Sequence, residues 1–310
     1  MGLRRHPGRG GRAQLCDRRR KFPRIPGGHP FAGRVAVRGR YDVPGLFLFG
    51  DLLHRRTHEG VRDPGWRSLL RRTQGPIPIL NMSAIAVVDV GSNSIKVAVV
   101  DAQDRRELGR LTEPVRLQQD AQTGDPLPVQ VQEEAAAAIG RLLDFARSKG
   151  ATRFTVLGTS AVRECANRQA FAEKVRQVTG VPLTIVSGEV EARLAGAGVR
   201  TDPAYQAYEN ILAFDLGGGS LEVTAIRGRH FVLARSFPLG SVRLTNGYLR
   251  GGAGVIDELD QLSIRTHLLG ALQSVLPAQA AENYLVIGAG GAFAAIALHL
   301  EAIGEAPVGG

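Results

Sequence analysis

Val87-Val88-Asp89-Val90-Gly91-Ser92-Asn93-Ser94-Ile95-Lys96-Val97-Ala98-Val99-Val100 returns 126 positions later as Ala213-Phe214-Asp215-Leu216-Gly217-Gly218-Gly219-Ser220-Leu221-Glu222-Val223-Thr224-Ala225-Ile226. Each copy reads as an apolar strand ending in Asp, a turn of four small residues, and a second apolar strand. That pattern predicts a hairpin with an acid at its mouth. Glycine lets the backbone approach a ligand and expose its N–H groups. Small hydroxyl residues add donors, and successive amides form an anion-binding concavity. Two such hairpins face to face predict a two-jawed clamp for a phosphate chain, with Asp89 and Asp215 able to hold a divalent metal between the jaws. Acids at strand ends commonly serve turns or caps; the duplication and the adjoining Gly/Ser turns favour metal or phosphate work. Glu222, one hairpin arm on, either joins the same site or faces solvent.

Outward from the first hairpin, Glu107 to Leu117 reads as strand and residues 118–128 as a polar loop. A helix follows from about Gln132 to Ser148, stopped by Gly150. Phe154 to Leu157 is a short strand entering Gly158-Thr159-Ser160-Ala161-Val162-Arg163-Glu164. Asn167 is expected to cap a helix through Val178 that Gly180 ends. Leu183 to Val186 is a strand, Ser187 to Val199 a helix, and Thr201 to Asn210 a junction between lobes. Past the second hairpin come a strand at His230 to Phe237, a long helix from about Val255 to Val275, and a strand at Tyr284 to Ile287. That strand feeds Gly288-Ala289-Gly290-Gly291 and an apolar helix, Ala292 to Leu300. Strand, Gly-rich turn and helix make a seat for phosphate, although small residues also serve plain helix–sheet packing. The alternation of strands and helices points to α/β sheets, and 310 residues suggest two domains. The boundaries read as lobe I at 82–205 and lobe II at 206–310.

The formal net charge of +10 is unevenly spread. Residues 1–81 carry 18 Lys/Arg against 5 Asp/Glu, and residues 82–310 carry 21 against 24. Runs such as Arg18-Arg19-Arg20-Lys21 resemble a nucleic-acid-binding arm, yet Pro and Gly interrupt every hydrophobic period there. Residues 1–81 therefore read as a disordered or artefactual extension before a natural start at Met82, and nucleic acid is not an expected partner. No apolar run reaches the ~18 residues of a membrane span. Two cysteines, Cys16 and Cys165, give no disulfide framework and fit a reducing cytoplasm. Arg163 beside Cys165 could lower the thiol pKa, but no histidine lies nearby in sequence to support a nucleophile.

Ser187-Gly188-Glu189-Val190-Glu191-Ala192-Arg193-Leu194 puts carboxylates at a helix start. Such carboxylates commonly just offset the helix dipole, whereas hydrolysis of an anhydride needs a base to deprotonate water. Arg163, after a Gly-Thr-Ser turn, could neutralise phosphate oxygens with its fork of donors; the commoner alternative is a surface ion pair with Glu164.

Six blocks in order resemble the exopolyphosphatase/guanosine pentaphosphate phosphatase (Ppx/GppA) family of the actin-like ATPase superfamily. They are 89–94, 158–164 with Asn167, 187–194, 215–220, 238–245 (Pro-Leu-Gly-Ser-Val-Arg-Leu-Thr) and 288–291, and the likeness covers Ala84 to Leu300. The resemblance implies two ribonuclease H-like lobes with the site in the cleft between them. It implies Mg²⁺-dependent release of the terminal phosphate from inorganic polyphosphate, or of the 5′ γ-phosphate from guanosine pentaphosphate (pppGpp). By that likeness Glu191 activates water, while Asp89 and Asp215, with Glu222, hold Mg²⁺. Phosphate would be held by Gly91, Ser92, Asn93, Ser94, Lys96, Arg163, Gly217, Gly218, Gly219, Ser220, Gly288, Gly290 and Gly291. A non-catalytic binder of polyphosphate or nucleotide is the alternative, and a homodimer is an open expectation. Three departures stand out. Lys96 sits where Arg is common, losing the bidentate fork. Leu221 replaces the usual Thr. The chain stops soon after 288–291, so lobe II is expected to be truncated, with an open sheet edge.

Overall fold

The computed structural model describes residues 35–37, 84–117, 124–249, 256–273, 275–276 and 284–303. The first sheet contains β2 (Ala84–Val90), β3 (Ile95–Asp101), β4 (Glu107–Glu113), β5 (Ala151–Gly158) and β6 (Leu183–Ile185), in the order β4-β3-β2-β5-β6. β2 to β4 form an antiparallel meander, while β5 and β6 add in parallel. Parallel addition requires crossovers, and helices supply them. These are α1 (Val129–Ser148), the short α2 (Ser160–Glu164) and α3 (Arg168–Thr179).

In α1 the buried positions Ala135, Ala138, Ile139, Leu142, Leu143 and Ala146 recur at helical spacing. With Phe171 and Val175 of α3 they cover one face of the sheet. Gly180 ends α3 in the left-handed conformation at φ 72°, as its position predicts. Asn167 does not cap α3 with its side chain. Its amide instead accepts from Leu127 N–H (2.8 Å) and donates to Leu127 C=O (2.9 Å), holding the preceding loop.

The second sheet repeats the plan. β7 (Asn210–Leu216), β8 (Leu221–Arg227) and β9 (His230–Phe237) form the meander, β10 (Leu285–Ala289) adds in parallel to β7, and β1 (Val35–Val37) adds in parallel to β10. The order β1-β10-β7-β8-β9 read backwards matches the first sheet strand for strand. β1, from a region where sequence patterning indicates no element, pairs with Val286, Ile287 and Gly288 of β10 and is itself the edge of this sheet among the described residues. An edge strand offers unpaired N–H and C=O groups, and this Val-Ala-Val run pairs three of the five residues of β10.

Side chains alternate across β7: Ile211 and Ala213 face one layer, Leu212 and Phe214 the other. The second layer is built by α5 (Ser241–Tyr248) through Leu244 and by α6 (Glu258–Gln273) through Leu268 and Leu272. Sequence patterning missed α5 and overextended α6. The last helix, α7 (Gly291–Ala302), follows β10.

α4 (Gly188–Thr201) lies between the two sheets. Ser187 caps it, its Oγ accepting from Val190 N–H at 3.3 Å. Val190 and Leu194 pack on Val87, Ala98 and Leu157 of the first sheet. Val199 belongs to the core of the second, and Thr224 Oγ1 of β8 donates to Ala192 C=O at 3.0 Å. Gly196 permits this approach, since a Cβ there would fall 2.9 Å from Thr224 Cβ. No helix among the described residues is long and apolar enough to cross a membrane.

Candidate active site

The hairpin ladders set the charges. Asp89 pairs with Lys96 across β2 and β3, and Asp215 pairs with Glu222 across β7 and β8. Lys96 and Glu222 are themselves 126 positions apart, so one repeat offers a cation where the other offers a third acid. Glu191, in the first turn of α4, joins them from between the sheets.

Burial dominates the electrostatics of these acids. It raises the Asp89 carboxyl above its ordinary value against the opposing charge of Lys96. Asp215 is pushed up to about 6 by burial, with Lys96 opposing and Asp89 adding repulsion. Glu191 rises to about 7, again chiefly by burial. The Arg163 charge and hydrogen bond hold it down, and Asp89 and Asp215 push it further up. Glu222 reaches about 8 through burial and then repulsion from Glu191 and Asp215, eased by hydrogen bonds from Ser236 and Ser220. The Ser236 hydroxyl stands 2.7 Å from Glu222 Oε1.

Arg163 makes the central contact. Its Nη1 donates to Glu191 Oε2 at 2.6 Å and to Val186 C=O at 3.2 Å. The surface pair with Glu164 is a distant 3.9 Å. Glu164 instead accepts from Ser160 Oγ (2.9 Å) and binds Arg243 of α5. Arg243 Nε also donates to Gly219 C=O at 3.0 Å. One arginine of lobe II thereby grips both lobe I and the second Gly turn. Only the 238–245 block hinted at it in sequence, with no role attached; Ser236 gave no signal beyond its place in a strand.

The two turns abut: a Cβ on Gly218 would lie 3.3 Å from Ser92 Cβ and 3.4 Å from Asn93 Cβ. Their amides are not equally available. Gly91 N–H closes its own turn on Ser94 C=O (3.2 Å), and Gly217 N–H closes the other on Ser220 C=O (3.0 Å). Gly91 and Gly217 are therefore turn closers, while the amides of Ser92, Asn93, Gly218 and Gly219 have no backbone acceptor among the described residues. The carbonyls of Gly217 and Gly218 are taken by the first amides of α5, Ser241 N–H (2.9 Å) and Val242 N–H (2.9 Å). Gly240 makes that seating possible, because a Cβ there would collide with the Gly218–Gly219 peptide.

The third Gly turn splits in role. A Cβ on Gly288 would strike the Phe293 ring at 2.5 Å, which is helix–sheet packing. Gly290, at φ 90°, sits so that a Cβ would lie 2.6 Å from Asp215 Oδ1, whereas Gly291 faces open space. Ser220 is buried against Glu222, and Ser94 is half-buried at the first turn. Leu221 fills the lobe II core. Burial pushes the Cys165 thiol up, and its Sγ lies 3.3 Å from Val162 C=O, the setting of a structural cysteine.

Asp89 Oδ1 is shut off from solvent with no hydrogen-bond partner, the orphaned oxygen that a cation would satisfy. Among the described residues no group of three or more His, Cys, Asp or Glu forms a ready-made cage. Glu222 stands opposite Asp215 in the ladder and interacts with it electrostatically. Mg²⁺ is commonly bound by one or two carboxylates plus substrate phosphates and water, and the donor set fits that pattern.

The sequence profile of the Ppx/GppA phosphatase family matches residues 96–296. An uncharacterized protein of Streptomyces coelicolor is 37% identical over 169 residues, which is 54% of this chain and 50% of that protein. Exopolyphosphatase 1 of Mycobacterium tuberculosis is 33% identical over 168 residues, 53% of this chain and 48% of that one. The chain spans about half the length of these curated relatives. Among solved structures, an exopolyphosphatase from Cytophaga hutchinsonii is similar with a TM-score of 0.60 at 23% identity, covering 72% of each chain. That likeness concerns the fold.

Proposed function

Because the chain belongs to the Ppx/GppA phosphatase family, we propose that it releases the terminal phosphate of a phosphoanhydride chain by water attack. The substrate is inorganic polyphosphate, with pppGpp the other molecule offering the same bond. The observation that carries this reading is the Glu191–Arg163 pair, held at 2.6 Å beside two Asp-bearing Gly/Ser turns. Glu191 at about 7 is poised as a general base near neutral pH, where both its ionised form and its proton affinity are useful.

In this mechanism Glu191 takes a proton from water as the water oxygen bonds to the terminal phosphorus. The bridging P–O bond breaks, its electron pair leaves with the shortened chain, and orthophosphate departs with the new oxygen. Arg163 fixes the Glu191 carboxylate and offers the rest of its fork to phosphate oxygens. The free amides of Ser92, Asn93, Gly218 and Gly219, with Lys96, hold the terminal group in place, so catalysis is mainly positioning and charge stabilisation. Asp89 and Asp215 would hold Mg²⁺, which when bound neutralises charge on the phosphate oxygens.

The test is phosphate release from long-chain polyphosphate and from pppGpp, with Mg²⁺ and with EDTA, for the parent and for Glu191→Gln. We expect metal-dependent release by the parent and near-complete loss in the variant with substrate binding kept. Parental turnover by Glu191→Gln would remove Glu191 from the base role. A folded parent that binds polyphosphate but releases nothing from either substrate would replace the hydrolase by a binder.

A further inference from the structure

The mechanism leaves one ion pair near the base without a task, that between Arg243 of α5 and Glu164 of α2. Both side chains are largely buried, and they come from different lobes, 79 positions apart. Arg243 is fixed from its own side: its Nε donates to Gly219 C=O at 3.0 Å and its N–H to Gly218 C=O at 3.3 Å. Both oxygens of Glu164 are engaged. Oε1 accepts from Ser160 Oγ at 2.9 Å, and Oε2 accepts from Arg243 Nη2.

The neighbour of Glu164 on α2 is Arg163, the residue that holds Glu191. Arg163 faces two carboxylates. Its Nη1 is 2.6 Å from Glu191 Oε2, whereas its Nη2 is 3.9 Å from Glu164 Oε1, beyond hydrogen-bonding distance. A guanidinium fork can bind either carboxylate, so the division depends on how well each is satisfied elsewhere. Arg243 neutralises Glu164, and Ser160 occupies the oxygen nearer Arg163. Without Arg243, Glu164 would be a largely buried carboxylate with the Ser160 hydroxyl as its hydrogen-bond donor among the described residues. An uncompensated charge of that kind is costly, and Arg163, 3.9 Å away, is the cation at hand to relieve it.

We propose that Arg243 is a positioning residue for the base: by binding Glu164 from the other lobe, it keeps Arg163 on Glu191. The proposal rests on Glu191 serving as the base of the hydrolysis. Because Arg243 is tied to the Gly219 carbonyl, the arrangement exists only while the second Gly turn is seated against lobe I. Lobes that part would release Glu164, draw Arg163 off Glu191 and leave the base unoriented.

Two readouts on the full chain test this. The first is kcat for phosphate release from long-chain polyphosphate with Mg²⁺. Arg243→Ala should lower kcat about tenfold or more, since a general base is worth about 10²–10⁴-fold and its orientation is what is lost. Adding Glu164→Gln to Arg243→Ala removes the competing charge and should recover most of that loss, an interaction that a plain loss of packing would not produce. The second readout is the partner of Arg163 in crystal structures of the parent and of Arg243→Ala, which needs no turnover: in the variant the guanidinium should leave Glu191 and pair with Glu164. Should Arg243→Ala fail to fold, Arg243→Gln, which keeps a donor for Gly219 C=O and loses the charge, is read in the same two ways. Arg163 still on Glu191 in the variant, or a double variant no faster than the single one, would overturn the proposal. Arg163 changing partner in a chain that turns over neither polyphosphate nor pppGpp would sink the hydrolase reading while keeping Arg243 as the residue that sets Arg163; turnover with Arg163 unmoved would do the reverse.

Discussion

Replacing Arg163 with alanine isolates the control of the proposed base. Arg163 and Glu191 are 21% and 16% exposed, with Nη1 and Oε2 2.6 Å apart. A hydrogen bond to a charged group is worth about 1.5–3 kcal/mol, and one pKa unit corresponds to about 1.4 kcal/mol. Removing the cation should therefore lift Glu191 by roughly one to two units above its present value of about 7. The sign follows from the role. Ionised Glu191 is the active form, so activity falls as pH drops through its pKa, and raising that pKa moves the acid limb to more alkaline pH. The assay is kcat/KM for phosphate release from polyphosphate between about pH 5.5 and 9.5, whose limbs report the free enzyme. In the proposed mechanism Arg163 also binds phosphate, so the whole profile is expected to fall, but the position of a limb is independent of its height. Arg163→Lys, keeping charge and losing the fork, should shift the limb less. An acid limb that stays within about 0.3 unit of the parent, or moves to lower pH, would refute this account of Glu191.

Asp215→Asn should displace the Mg²⁺ titration of activity to higher concentration by about tenfold or more; an unchanged titration would remove Asp215 from metal binding. Glu222 is raised from 4.5 to about 8, so its contribution to stability is complete below pH 4.5 and lost as pH rises towards 8. Glu222→Gln should accordingly raise the melting temperature by about 2–4 °C per kcal/mol relieved at pH 9, with little gain at pH 5; an equal gain at both values would contradict burial as the cause. Gly196→Leu drives a side chain into Thr224 and Phe231. It should cost about 1–3 kcal/mol in chemical denaturation, and a neutral result would mean that α4 can back away from β8.

What the sequence made legible follows from its strongest periodicities. The duplicated hairpins announced both sheets because continuous apolar runs broken by Gly/Ser turns leave few alternatives. The helix stop at Gly180 was equally local and was found where expected, whereas Ser187, read as the first residue of its helix, is the cap before it. Asn167 was misread, since a side chain that suits a cap also suits a loop clasp, and only the fold chooses between Arg168 and Leu127 as its neighbourhood. α5 was invisible because its short span contains Asn246 and Gly247 and owes its existence to the carbonyls of a distant Gly turn. The acids at 89, 191, 215 and 222 could be named, but their elevated pKa values come from burial among one another, which no spacing encodes. Arg243 carried no assigned role because a lone arginine carries no pattern; it acts through Glu164, 79 positions away.

The helix α4 has a consequence for how the molecule comes apart. A cut at residue 205 looks natural on paper, yet α4 would go with the first half while its Val199 and Ala192 leave the second half's sheet bare. Neither fragment would own a finished interior. Heat or denaturant should meet a single cooperative block rather than two modules melting in turn, and a split or permuted chain that spares 188–201 from separation is the kind that keeps its solubility.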